Sequence, residues 1–415
     1  MKKISVLAVA AAVCGAMLPA GCALPVTDAG SAALPEAANT TQVSVEELRQ
    51  KYTGYGFNAL ASDAEQRLYA AIDEAVNQPH STEFYSDAFD NMQRVSDILE
   101  LYKDDHPAVF WIDEAEPYYY STVQGRLRIS LHFKLEDEAL QAARDQLEQV
   151  VQTVTDNAPA DGSAYEKELY LHHYLIENCV YDDEAVELHK NDRVRSNEQN
   201  AYGALVEEQA VCEGYTRAFQ LLCERLDVPC WVIQGQAKDF TDEGNVNHIW
   251  NCVQLDGDWY HVDVTWDDYE DASVESDRYY YFNLTTAEIE KDHTISPLFN
   301  ESEDPDVWYN GFVPDCTATA YNYFLRNSMA IDDLDAGDYV SYVAQAALDQ
   351  RDSCCFMVSE ALDFEETFDL LVQGYAYDWV SGANESNDYE PFINNSSKLS
   401  ANENRRVITL LLKYD

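Results

Sequence analysis

Three residues in the middle of the chain could do covalent chemistry together: Cys212, His248 and Asp263. Cys212 ends a polar stretch and stands where a helix is predicted to begin, because Tyr215, Ala218, Phe219, Leu222 and Leu226 follow at helical spacing. A thiol there faces unpaired backbone N–H groups and the positive end of the helix dipole, which favour the thiolate. The same N–H groups could hold the oxyanion of a tetrahedral intermediate. A free thiol is mostly protonated near neutrality, so a base must activate it. His248 is expected to do so and later to protonate a leaving amine, with Asp263 orienting the imidazole and selecting its tautomer.

The elements that must position these groups are read from the same stretch. Cys230 to Gln234 reads as a strand, followed by a glycine-containing loop. His248 to Leu255 and Asp258 to Thr265 read as a hairpin closed by Asp256-Gly257, a type I′ turn signal. With two residues in the turn, Leu255 opposes Asp258, Trp250 opposes Asp263 and His248 opposes Thr265. His248 and Asp263 then become diagonal neighbours on one face. Ile249, Val253, Leu255, Tyr260, Val262 and Val264 fall on the other face, expected to be the core side. His261 opposes Cys252, further from the site, where a packing role is expected.

Val211-Cys212-Glu213-Gly214-Tyr215, His248-Ile249-Trp250 and His261-Val262-Asp263-Val264-Thr265-Trp266 resemble, in order and separation, the three motifs of the transglutaminase-like superfamily. The resemblance extends over about residues 165 to 295, including Ala201 to Leu205 and Tyr281 to Leu284. It implies Cys212 as nucleophile, His248 as base and Asp263 as orienting acid. The fold class it implies is α+β: a papain-like core in which the helix bearing the cysteine packs on an antiparallel sheet. Tyr202 and Gln209 lie where such folds often place a second oxyanion donor, and Trp250 and Trp266 are candidates to line the substrate path. The implied activity proceeds through a thioester on peptide or carboxamide bonds; the resemblance leaves water or an amine open as acceptor, and hydrolysis is expected over cross-linking because a dedicated cross-linker needs an apolar channel for the amine. A catalytically silent surface-binding module on the same scaffold is the alternative.

Composition narrows the partners. With 76 acidic and 26 basic residues the formal charge is −50. That field repels nucleic acid and anionic headgroups, so nucleic acid is excluded as a partner. A peptide or protein substrate, a cell-wall peptide among them, is expected. Lys2 and Lys3, the apolar run Ile4 to Leu18 and Pro19-Ala20-Gly21-Cys22 read as an export signal. Its ending resembles a bacterial lipobox with Cys22 as the lipidated residue, so membrane attachment is expected only through that anchor and the chain outside the cytoplasm. Seven cysteines beyond Cys14, Cys22 and Cys212 are an odd number at irregular spacing, which is not a disulfide framework. No CxxC or clustered Cys/His spacing points to zinc, and no metal or cofactor is expected.

Along the chain, residues 23–43 read as a tether and 44–157 as an α+β support domain. In that domain Ser62 and Glu65 form a capping box ahead of Leu68, Tyr69, Ile72, Ala75 and Val76. Phe89, Met92, Val95, Leu99 and Tyr102 mark a second helix. Leu127, Ile129, Leu131 and Phe133 alternate as a half-buried strand, and Leu140 to Val154 carries a further helix. The catalytic domain is expected over 163–300. Within it His172 is a packed or half-exposed helix residue, 184 to 200 is a polar loop containing a solvated His189, and Asp267, Asp268, Glu270 and Asp271 form a solvated loop. Residues 315–415 read as a small α/β domain of helix, strand, helix, strand, with Cys354 and Cys355 as core residues on opposite faces of one strand.

Overall fold

Helix-period apolar stripes and well-formed caps build the first half of the chain. The structure is a computed structural model, described for residues 43–415 apart from 78–82, 88–92, 114–116, 124–125, 190–196, 239–243, 269–274, 302–307, 336 and 395–396. Cys22, the export signal, nearly all of the tether, Phe89, Met92, Glu270, Asp271 and the side chain of His189 lie outside the described positions. The described residues pack into two units, one of 43–259 together with 292–315, the other of 260–291 together with 316–415.

In the first unit come α1 (Val45–Lys51), α2 (Tyr55–Ala59) and α3 (Asp63–Asn77). The Ser62–Glu65 capping box forms: Glu65 N–H donates to Ser62 Oγ at 3.2 Å and Ser62 N–H to Glu65 Oε2 at 2.9 Å. The predicted stripe of α3 is buried. β1 (Glu83–Asp87), α4 (Gln93–Asp105), β2 (Tyr118–Val123) and β3 (Arg126–Leu131) follow, with an antiparallel sheet in the order β1-β3-β2. Leu127, Ile129 and Leu131 alternate inward as read. α5 (Asp137–Asp156) buries Leu140, Ala143, Leu147, Val151 and Val154. α6 (Ala164–Asn178), begun by a Ser163–Glu166 capping box, buries His172 in its packed face.

The chain then forms β4 (Val180–Tyr181), α7 (Asp183–His189), β5 (Gln209–Ala210), α8 (Cys212–Arg225), β6 (Cys230–Lys238), β7 (Asn245–Leu255), β8 (Asp258–Val262) and β9 (His293–Ile295). The sheet runs β8-β7-β6-β9, with β7 and β9 both antiparallel to β6. α8 packs on it, with Thr216 Oγ1 donating to Ile249 O at 3.0 Å and Asn251 Nδ2 to Thr216 O at 3.2 Å.

Several expectations are corrected here. The polar stretch after residue 183 is not all loop: Ala185 N–H donates to Asp182 Oδ1 at 2.8 Å, and buried Ala185 and Val186 give α7 an apolar face. The turn is type I′ as read, with φ of 51° at Asp256 and 94° at Gly257. Glycine suits that left-handed second position. The return strand, however, stops at Val262 rather than Thr265, so the ladder read through Asp263 and Thr265 does not form. β6 runs to Lys238 and β7 starts at Asn245, both longer than read. β7 is also buried on both faces, Trp250 and Cys252 as fully as Ile249 and Val253.

The second unit contains α9 (Val264–Asp267), α10 (Thr286–Ile289), α11 (Tyr323–Asn327), β10 (Met329–Ile331), α12 (Tyr339–Leu348), β11 (Ser353–Val358), α13 (Phe364–Leu370), α14 (Ala376–Ser386), β12 (Lys398–Asn402) and β13 (Val407–Leu411). Its sheet order is β10-β11-β13-β12, richer than the four elements read. Val343, Ala347, Phe356, Trp379 and Ile408 form its core. Arg405 ties residues 260–291 into this unit, donating to Tyr280 O at 2.9 Å and Glu288 O at 2.7 Å. Asp267 is not solvated as read: it is fully buried and accepts from Tyr281 N–H at 2.8 Å. Burial pushes its carboxyl well above the usual range, against that hydrogen bond. The described cysteines are buried, Cys354 and Cys355 among them. No helix among the described residues is long and apolar enough to cross a membrane.

Candidate active site

The start of α8 is set by the segment before it. Val211 N–H donates to Glu198 O at 2.9 Å, and Asn200 Oδ1 accepts from the N–H groups of Tyr202 and Gly203 at 3.1 and 3.3 Å. Glu198, Gln199 and Asn200 are buried, in a stretch read only as polar loop. Val211 is extended and its side chain gives no cap to the helix that Cys212 opens. Cys212 is 2% exposed and packs in a cluster with Ala185, Val186, Val211, Val232 and Ile249.

His248 comes from β7. The β6–β7 register pairs it with Gly235, and pairs Trp250 with Ile233. These four residues share one face of the sheet; Ile249 and Asn251 take the other, against α8. His248 is 1% exposed, and its ring stacks toward Trp250 with centroids 6.0 Å apart. A second histidine, passed over in the sequence, lies beside it: the His293 ring is 5.4 Å from that of His248 and 5.0 Å from that of Trp250. Its Nδ1 is 2.7 Å from Asp292 Oδ1. An adjacent Asp-His pair outside the three motifs was the available signal, and it is a weak one.

The remaining candidates are placed as follows. The Tyr202 hydroxyl donates to Gln146 Oε1 at 2.7 Å and its ring stacks on Phe110. Gln209 is exposed on β5. Trp250 is a buried packing residue of the sheet. In the second unit Asp263 caps α9, its Oδ1 accepting from Trp266 N–H at 3.1 Å, while its own N–H donates to Tyr281 O at 3.1 Å. Trp266 packs edge-on to Tyr281 at 5.0 Å. His261 is buried, with a ring nitrogen 3.2 Å from Thr286 Oγ1.

Residues 148–264 match the model of the Transglutaminase-like superfamily. Over 61 residues the chain is 36% identical to the kyphoscoliosis peptidases of Homo sapiens and Mus musculus, a span covering 13% of this chain and 9% of each relative. Among solved structures it is similar to a TGase, with TM-score 0.27 and 16% identity over 36% of this chain and 43% of that one. It is also similar to a Cytophaga hutchinsonii protein proposed to be a cysteine protease, with TM-score 0.23 and 12% identity over 36% of this chain and 61% of that one.

Proposed function

Residues 148–264 belong to the transglutaminase-like superfamily, and from that premise we propose that the chain is a cysteine enzyme acting on peptide or carboxamide bonds. Cys212 is the nucleophile, His248 the base and Asp263 the acid that orients it. The Cys212 thiolate adds to the substrate carbonyl, and the oxyanion is held by amides at the start of α8. His248 gives the thiol's proton to the departing amine or ammonia, leaving a thioester. Water or an amine then attacks, His248 takes the attacker's proton, and the Cys212 sulfur leaves.

The observation that supports this reading is the start of α8. Cys212 is the first residue of a 14-residue helix, where the dipole favours a thiolate, and the side chain of Val211 before it gives no cap. Water is the favoured acceptor, because nothing about a thioester prefers an amine and a dedicated cross-linker needs a dry channel for one. The substrate is a peptide or protein, with a cell-wall peptide as one case. The test is activity-based labelling followed by product partitioning with a millimolar primary amine present. Acid as the main product, lost in Cys212→Ala, supports a hydrolase; amide as the main product would make the enzyme a cross-linker.

A catalytically silent binding module draws on the near-complete burial of both Cys212 and His248. Absence of labelling at Cys212 in the folded chain would favour it. Export with lipidation at Cys22 is part of the same proposal. A labelled fatty acid should enter the chain in the producing cell and be lost in Cys22→Ala; secretion without label would leave export and remove the anchor.

A further inference from the structure

His293 opens β9, where the register sets it opposite Ala237 and sets Ile295 opposite Gly235. On the other side of β6, Gly235 opposes His248 and Ala237 opposes Val246. Paired residues in a sheet share a face, so His293, His248 and Trp250 rise from the same side, with only Gly235 and Ala237 between the two strands. Their rings meet across that gap. Gly235 makes the room: a Cβ there would lie 2.9 Å from Trp250 Cη2 and closer still to Thr294 O.

The His293 ring is more than filling. Its Nδ1 and Asp292 Oδ1 are 2.7 Å apart, and both side chains are fully buried. Burying an acid is costly, and an apolar residue would fill such a space at less cost than an acid–imidazole pair. The pair does two things that an apolar residue could not. It fixes which ring nitrogen carries the proton and how the ring is turned. It also brings a carboxylate to within one ring of His248.

We propose that His293, held by Asp292, is a positioning residue for His248. Its ring braces the His248 imidazole beside Trp250, and the Asp292 carboxylate behind it stabilises the imidazolium that forms when Cys212 gives up its proton. The proton lost from Cys212 Sγ stays on His248 until it reaches the leaving group; the His293–Asp292 pair exchanges none. The proposal rests on Cys212 and His248 being nucleophile and base.

The test is the pH dependence of Cys212 alkylation by iodoacetamide in the full chain, followed by mass spectrometry. Asp292→Asn keeps an oxygen to accept from His293 and removes the charge. It should unfold at the wild-type urea midpoint, yet its alkylation inflection should move up by about one pH unit, with on the order of tenfold slower labelling at neutrality. An unmoved profile in the folded variant would overturn the proposal alone. A wild-type Cys212 no faster than Cys223 would overturn the nucleophile assignment and this proposal with it. If Asp292→Asn does not fold, proton–nitrogen NMR of the unmutated chain decides. His293 should carry its proton on Nδ1, and its ring shifts should move when Cys212 is alkylated; shifts that stay fixed would count against the proposal just as firmly.

Discussion

Arg217, on the helix that Cys212 opens, forms a buried ion pair with Asp104 of α4, Nη2 to Oδ1 at 2.9 Å, with both side chains at most 2% exposed. Glu213 holds the same guanidinium at 3.1 Å. Asp104 also accepts from Gln234 Nε2 at 3.1 Å, and its backbone oxygen accepts from Gln220 Nε2 at 2.7 Å. The cysteine-bearing helix, the sheet strand β6 and the N-terminal region are thus locked at one buried point.

Removing one partner of such a pair strands the other charge. Arg217→Met should cost about 3–5 kcal/mol in urea unfolding, while Arg217→Met with Asp104→Leu should recover most of it. A single variant within about 1 kcal/mol of wild type would show that the pair does not fasten α8.

Stability should rise as pH falls from 8 to 6. Burial pushes Asp97 up to about 6, raises Asp105 and raises Asp267 well above the ordinary carboxylate range. A folded chain that binds these protons more tightly than the unfolded one has stability that is full below the ordinary carboxylate range and lost as pH climbs through the raised values. Relief of self-repulsion in a chain of charge −50 has the same sign. His106, pushed down by burial, works the other way, but it is one group against three. Urea midpoints at the two pH values decide; a higher midpoint at pH 8 would contradict the assignment.

Native thiols should differ sharply in reactivity. Burial raises Cys223 well above the usual thiol range, pushes Cys354 up to about 12 and raises Cys355. Cys212 sits at a helix N-terminus instead, which favours the thiolate. Near neutrality iodoacetamide should modify Cys212 first and leave these three untouched until denaturant is added. Equal labelling of Cys223 in the folded chain would remove the case for an activated thiol.

Gly235→Ala should be destabilising far beyond its size. The added carbon meets the backbone oxygen of Thr294, which cannot swing aside as a side chain could. Overpacking of this kind costs about 1–3 kcal/mol. Hydrogen exchange should quicken across His293–Ile295 as β9 loosens from β6, and unchanged exchange there would refute the close approach.

Local rules were enough for some of this protein. The Ser62–Glu65 cap, the alternation on β3, the helix opening at Cys212 and the left-handed turn at Asp256-Gly257 each depend on residues a few positions apart, so the sequence determined them. The α+β core, with its cysteine-bearing helix on an antiparallel sheet, is what the resemblance of the three motifs implied, and the fold has it. Tertiary structure decided the rest. Asp263 reads as one more alternating strand residue, but its carboxylate captures the Trp266 N–H and begins a helix instead. Asp267 looked like solvated acid until packing buried it against Tyr281 N–H. His293 came beside His248 only because β9 closes on β6 across a glycine. Arg217 found Asp104 through the docking of α4 on α8. Which polar groups a fold buries, and against which partners, is fixed by contacts between distant segments, and no local spacing encodes those.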